Sequence, residues 1–235
     1  MDEIMEKDGH RFRLVWEDHF DGDTLDTTKW ALCPERERQD AGGWWSNEMT
    51  EIHDSNLWLW AKIDGNGVPR SGGIRSKDVF EQAYGYFECR MMFQHTTGFW
   101  GAFWMMCGDV LKEDGSGESG VEIDIIESGY CATREMNHAF HWDGYRAAHK
   151  CITERFPAEH LYEGWHTYGM AWTKDEYLFY IDGKLSWRTV GPGVCKFPGY
   201  MKLTTEFGKW AAPIVPEKLP DCCRVDWVRV YELAE

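Results

Sequence analysis

The chain of 235 residues carries 40 acidic against 25 basic side chains, a formal net charge of −15, with no basic block. That balance excludes nucleic acid and anionic membranes as partners and weighs against strongly anionic polysaccharides. No apolar run approaches the length of a membrane span, and the acidic residues 1–8 do not read as a signal peptide.

Residues 1–13 read as a polar fringe to a single domain over residues 14–235, with the first strand beginning near Phe12 and running to Phe20. A charged loop follows from Cys33 to Gly43. Trp44-Trp45-Ser46-Asn47 then precedes a strand in which Leu57, Leu59 and Ala61 take one face and Trp58 and Trp60 the other. Asp64-Gly65-Asn66-Gly67 ends that strand in a turn. Tyr84-Gly85-Tyr86-Phe87-Glu88-Cys89-Arg90-Met91 alternates as a central strand does, with Glu88 and Arg90 sharing a face and suited to cross-strand pairing. In the next strand Trp100 and Trp104, four apart, also share a face. A polar Gly/Ser-rich loop leads on from Asp109 to Gly120.

Val121-Glu122-Ile123-Asp124-Ile125-Ile126-Glu127-Ser128 interleaves three acids with β-branched residues, the pattern of a half-buried strand. Glu122 and Asp124 point to one face. Glu127, five positions after Glu122, would point away unless a β-bulge at Ile125–Ile126 adds one residue and turns it back. Three converging carboxylates suit glycosidic cleavage, which needs one charged and one protonated acid; proximity and burial push proton affinities apart. An exposed strand face that happens to carry acids is the other reading of the same spacing.

Beyond it, Met136-Asn137-His138-Ala139-Phe140-His141-Trp142 alternates again, with His138 read as framework. Residues 164–173 form a strand, and Tyr177 to Lys184 a hairpin turning at Asp182-Gly183. Residues 201–208, which include Glu206, form a further strand. Frequent short strands without helical periods or internal repeats predict an all-β fold, a two-sheet antiparallel β-sandwich. Fourteen Trp, ten Tyr and twelve Phe supply flat faces for a core or for sugar rings. The eight cysteines show no Cys-x-x-Cys pair, so zinc ligation is unsupported. Adjacent Cys222 and Cys223 do not easily bridge, and free buried thiols are expected.

The spacing Glu-x-Asp-x-x-Glu closely resembles the catalytic signature of glycoside hydrolase family 16 in its bulged form. Gly98-Phe99-Trp100-Gly101-Ala102-Phe103-Trp104 is similar to that family's Gly-x-Trp-Pro-Ala-Phe-Trp strand, with Gly101 where proline is usual. Val15-Trp16-Glu17-Asp18-His19-Phe20-Asp21-Gly22 resembles its opening, and Val225-Asp226-Trp227-Val228-Arg229-Val230-Tyr231 its closing strand. The branch resembled is that of laminarinases, agarases and endo-β-galactosidases.

The resemblance implies a concanavalin-like β-jelly roll with an open concave cleft, and retaining endo-hydrolysis by Glu122 as nucleophile, Glu127 as acid/base and Asp124 as assistant. It implies substrate contacts from Asn47, Trp44, Trp45, Arg75, Trp100, Trp104 and His141, with Glu206 at the rim. The expected partner is a polysaccharide or oligosaccharide: β-1,3- or mixed β-1,3/1,4-glucan first, a neutral β-galactan second. A monomer acting outside the cell, needing no organic cofactor, is expected. Many relatives hold a structural calcium ion near the first strand through a glutamate where this chain has His19; the departure speaks against calcium, although Asp226 remains in place. A sugar-binding jelly roll would keep the tryptophans but has no use for paired glutamates on a bulge. A calcium-binding jelly roll would need a carbonyl-rich loop rather than acids along a strand.

Overall fold

In the strand Asn56–Ile63, Leu57, Leu59 and Ala61 are fully buried. Trp58 and Trp60 stack on each other on the opposite face, ring centroids 5.3 Å apart. The same period-two segregation recurs through the computed structural model, which describes residues 4–38 and 42–234. It yields two sheets with their apolar faces together.

The smaller sheet has seven strands, in the order Lys150–Pro157, Glu135–Trp142, Gly120–Glu127, Phe99–Gly108, Gly199–Phe207, Gly73–Arg75 and Ala31–Leu32. The acidic strand Gly120–Glu127 thus lies near its centre, paired antiparallel on both edges. The larger sheet has twelve strands, among them Gly85–Met92, His166–Trp172 and the long closing strand Asp221–Ala234. Phe103, Met105, Ile123, Phe140 and Leu203 from the small sheet meet Phe87, Met91, Met170, Val225 and Val230 from the large one in a single core. This is the two-sheet sandwich that the alternation predicts, in the open β-jelly-roll form that the resemblance implies. One pairing is parallel, Gly43–Trp45 with Pro69–Ser71.

Residues 4–13 are not a fringe. Ile4–Lys7 and His10–Asp18 form a hairpin whose second strand pairs with Asp221–Ala234. Phe12 is fully buried in a second apolar cluster with Tyr86, Leu178, Tyr180 and Tyr231, and Met5 and Leu14 pack against it. Lys7 lies 4.8 Å from the ring centroids of both Tyr86 and Tyr180. The polar composition misleads because the hairpin alternates: Met5, Phe12 and Leu14 fall on the face packed in this cluster, while Ile4 and Val15 are exposed.

Glu88 and Arg90 serve the framework with separate partners. Tyr86 donates its hydroxyl to Glu88 at 2.8 Å, and Arg90 pairs with Asp226 on the neighbouring strand. All eight cysteines are free thiols; Cys151 is exposed and Cys222 half-buried, the others buried.

Candidate active site

Opposite His138 of the strand Glu135–Trp142 stand two residues of the acidic strand, Ile125 and Ile126; the pairing runs Asp124↔Ala139, then Glu127↔Asn137. On the other edge the register slips at the same place, between Phe103↔Ile126 and Trp104↔Asp124. That is the expected bulge. Both isoleucines are fully buried, so the extra residue goes into the core and Glu127 returns to the outer face beside Glu122 and Asp124.

Register then dictates the site's neighbours, because directly paired residues share a face. Glu122 is flanked by Met106 and His141, Asp124 by Trp104 and Ala139, and Glu127 by Ala102 and Asn137. One strand further, Tyr200 adjoins Met106, Lys202 adjoins Trp104, and Glu206 adjoins Trp100. Arg75 adjoins Lys202 in turn. These rows floor a cleft of about 580 Å³, which the three acids line together with Trp45, Arg75, Trp100, Trp104, His141 and Glu206.

Electrostatics separate the acids. Desolvation raises Glu127 to about 8, reinforced by the negative charge of Glu122 and opposed by the Asn137 amide, which donates to it at 3.1 Å. Glu122 is raised by desolvation as well, but Tyr145 donates its hydroxyl to it at 2.5 Å and favours the carboxylate. Asp124, only 2 % exposed, is pushed well up by burial and by Glu127 and Glu122. The Tyr145 hydroxyl thus favours the anion of Glu122, while Glu127 and Asp124, which lies between the two glutamates on the strand, favour the proton.

Several residues that motif reading passes over belong here. Tyr145 and His149 come from the loop after Glu135–Trp142; His149 lies flat against His141, rings 5.1 Å apart at 7°, with His141 Nδ1 2.9 Å from His149 Nε2. Burial and His149 together lower His141 to about 4, so its ring is neutral. Lys202, 7 % exposed, lies 3.4 Å from the Trp104 ring centroid and 4.7 Å from that of Trp45, and burial lowers it to about 8. Arg38 binds Glu206 through Nε at 3.0 Å, which makes Glu206 part of a half-buried ion pair as well as cleft lining. Trp210 meets Trp100 edge-on at 5.1 Å. The signal for Lys202 was available, since it lies four residues before Glu206 on one strand face. Tyr145, on a loop, had none.

Two expected contacts do not converge. Trp44 and Trp45 are successive strand residues and so face opposite ways. Trp45, 2 % exposed, lines the cleft, while Trp44 turns outward, its ring centroid 5.6 Å from the Arg70 guanidinium. Asn47 sits exposed on a short 3-10 turn, its backbone N–H donating to Glu35, and it does not line the cleft.

Sequence comparison now adds to the geometry. Residues 15–233 match the family described as "Beta-porphyranase A-D, GH16 domain". The chain belongs to glycoside hydrolase family 16. It is 29 % identical over 243 residues to the keratan-sulfate endo-1,4-beta-galactosidase of Sphingobacterium multivorum, covering 94 % of this chain and 56 % of that one. It is 27 % identical to beta-porphyranase E of Zobellia galactanivorans, covering 92 % and 85 %, and 26 % identical to glucan endo-1,3-beta-glucosidase A1 of Niallia circulans, covering 74 % and 29 %. This family 16 domain thus spans between about a third and just over half of the galactosidase and glucosidase. In fold it is similar to the endo-beta-1,3-glucanase of Pyrococcus furiosus, with a TM-score of 0.83 at 24 % identity and full coverage of both chains.

Around the calcium position implied by family resemblance, the carboxylates have nitrogen partners. Asp226 is engaged by Arg90, Glu17 by His19 at 2.9 Å and Arg229 at 3.3 Å. Asp18 accepts from the Trp30 indole at 2.8 Å and Lys29 at 3.3 Å. Calcium takes six to eight oxygens, and these carboxylates are already claimed by nitrogen donors.

Proposed function

We propose that this domain is a retaining endo-β-glycosidase that cleaves internal β-linkages of an anionic galactan. In the first step Glu122 attacks the anomeric carbon while Glu127 gives its proton to the departing glycosidic oxygen. In the second, Glu127 takes a proton from water, the water oxygen attacks the same carbon, and Glu122 leaves. Two inversions retain the configuration. Asp124 favours its proton and lies between the two, so it limits the negative charge crowded around Glu122. Trp100 and Trp104 offer faces for stacking on sugar rings.

The observation that carries the substrate class is Lys202. A lysine in the floor of a cleft, lowered to about 8 by burial, packed against two indole rings and attracted by Glu206 and Glu122 without a direct salt bridge among the described residues, is costly to the fold. Arg75 stands beside it in register with a buried Nε that has no partner. Arg36 lines the same wall. A neutral glucan gives these cations no counter-charge, whereas a sulfated or carboxylated galactan does. Net charge misleads on this point, because Arg36, Arg38, Arg75 and Lys202 line the cleft against Glu122, Asp124, Glu127 and Glu206, so the cleft is far less acidic than the chain as a whole. The names of the galactosidase and porphyranase relatives agree with this choice.

The test is a polysaccharide panel of sulfated and neutral β-galactans and β-1,3- and mixed-linkage glucans, with product sizing and proton NMR of the first-formed anomer. Internal cleavage of a charged galactan with an initial β-anomer is expected, and Glu122→Gln and Glu127→Gln should each lower turnover by orders of magnitude. Preferential cleavage of neutral glucan overturns the substrate reading. An initial α-anomer overturns the double displacement.

A further inference from the structure

Asp124 Oδ2 is a buried carboxylate oxygen without a hydrogen-bond partner, and it faces His141 Nε2 across 3.4 Å. Where His141 donates its Nδ1 proton to His149, its Nε2 presents a lone pair to Asp124. Either a proton or a metal cation must then lie between Asp124 Oδ2 and His141 Nε2, which leaves a place for a cation. One donor atom from each of Glu122, Asp124 and His141 lies within 4.8 Å of the others. For metal bonds of about 2.0–2.2 Å, a tetrahedral ion sets its ligand atoms about 3.4 Å apart, the separation seen between His141 and Asp124. His149 stands behind His141 as the outer partner that fixes a metal-binding imidazole.

We propose that Glu122, Asp124 and His141 bind a divalent transition-metal ion of the zinc class, and that this ion competes with the sugar. One imidazole and two carboxylates suit zinc, cobalt or copper, and offer too few oxygens for calcium. Tyr145 holds Glu122 Oε2, leaving Oε1 for the ion. Bound there, the ion blocks the oxygen that would attack the anomeric carbon. The competition rests on the proposed role of Glu122; the binding rests on geometry alone.

Cobalt(II) absorption titrations of the whole chain at pH 7.5 test the binding without reference to activity. One equivalent per chain is expected, with affinity at least tenfold weaker in His141→Ala and in Glu122→Gln. Near-UV circular dichroism checks the fold of each, with His141→Gln replacing any variant that fails. Cys151, the exposed cross-strand partner of His141, is the rival soft ligand, and Cys151→Ser should bind as the wild type does. Absence of saturable binding, wild-type affinity in the folded His141 variant, or loss of binding in Cys151→Ser each overturns the site. On whichever polysaccharide the enzyme cleaves, zinc should raise the apparent KM with kcat unchanged, reversed by chelator; a lowered kcat at constant KM overturns the competition.

Discussion

Replacing Tyr145 by Phe removes one hydroxyl and leaves the ring that lies against His149. That hydroxyl donates to Glu122 at 2.5 Å and favours the carboxylate over the acid. A hydrogen bond to a charged group contributes about 1.5–3 kcal/mol. Tyr145 is 48 % exposed, so water replaces part of the loss and the lower end applies. At about 1.4 kcal/mol per pKa unit, Glu122 should rise by about one unit. The nucleophile must be ionised, so the acidic limb of the pH profile moves upward. Glu127 must hold a proton and sets the alkaline limb near its value of about 8, which should stay in place. The optimum narrows from its acid side, and activity well below the limb falls about tenfold. The assay is kcat/KM against pH on one defined oligosaccharide, because that ratio reports the free enzyme. An acidic limb that does not move refutes the reasoning, as does a uniform loss at every pH or a shift of the alkaline limb alone.

Asn137→Ala removes the donor to Glu127 and should carry the alkaline limb up by as much as about one unit; pH profiles of kcat/KM check it. Lys202→Met should raise the melting temperature at pH 7. A folded value of about 8 against 10.5 means the charge is unfavourable in the fold at any pH below 8, by about 3 kcal/mol; the same variant should raise KM for the charged galactan and not for neutral substrates. Deleting Ile126 leaves Glu-Ile-Asp-Ile-Glu, whose acids share a face by plain alternation, so a folded variant with reduced but measurable turnover is expected at a cost of about 2–5 kcal/mol in stability; unfolding in denaturant and product sizing check the two halves.

How far the site was legible follows from which residues are governed by local periodicity. Glu122, Asp124, Trp100, Trp104 and Glu206 lie on strands, where period two fixes the face from sequence alone, whereas Glu127 needs the bulge as well, and all of them line the cleft. His141 comes from the adjoining strand, and pairing with Glu122 brings it in. Trp44 fails by the same rule that makes Trp45 succeed, since neighbours cannot share a face. Tyr145 and His149 were illegible because a loop has no period: only the closed turn after Trp142 shows that it bends back over Glu122. The N-terminal hairpin was misread for another reason. Composition reports how polar a segment is on average, whereas burial of Phe12 depends on which face its few apolar residues share.

The bulge itself needs a partner, because the extra residue leaves a backbone group outside the regular ladder. His138 supplies it. Its Nδ1 lies 2.6 Å from the carbonyl oxygen of Ile125, and a carbonyl only accepts, so Nδ1 carries the hydrogen. Its Nε2 lies 3.0 Å from Ser186 Oγ, which then donates, and the ring is neutral with one tautomer fixed. The ring also packs against Phe179 of the opposite sheet at 4.7 Å. Burial lowers His138 to about 4, below the 6.5 of an unfolded chain. The unfolded state therefore binds more protons in that window, and stability falls by about 3 kcal/mol as pH drops from above 6.5 to 4. His138 and His141, three apart on one strand, face opposite ways. One closes the backbone that aims Glu127, and the other stands beside Asp124 and Glu122. The aim of the proposed acid/base is thus tied to the core between the sheets, and acidification from 6.5 toward 4 loosens the bulge through His138.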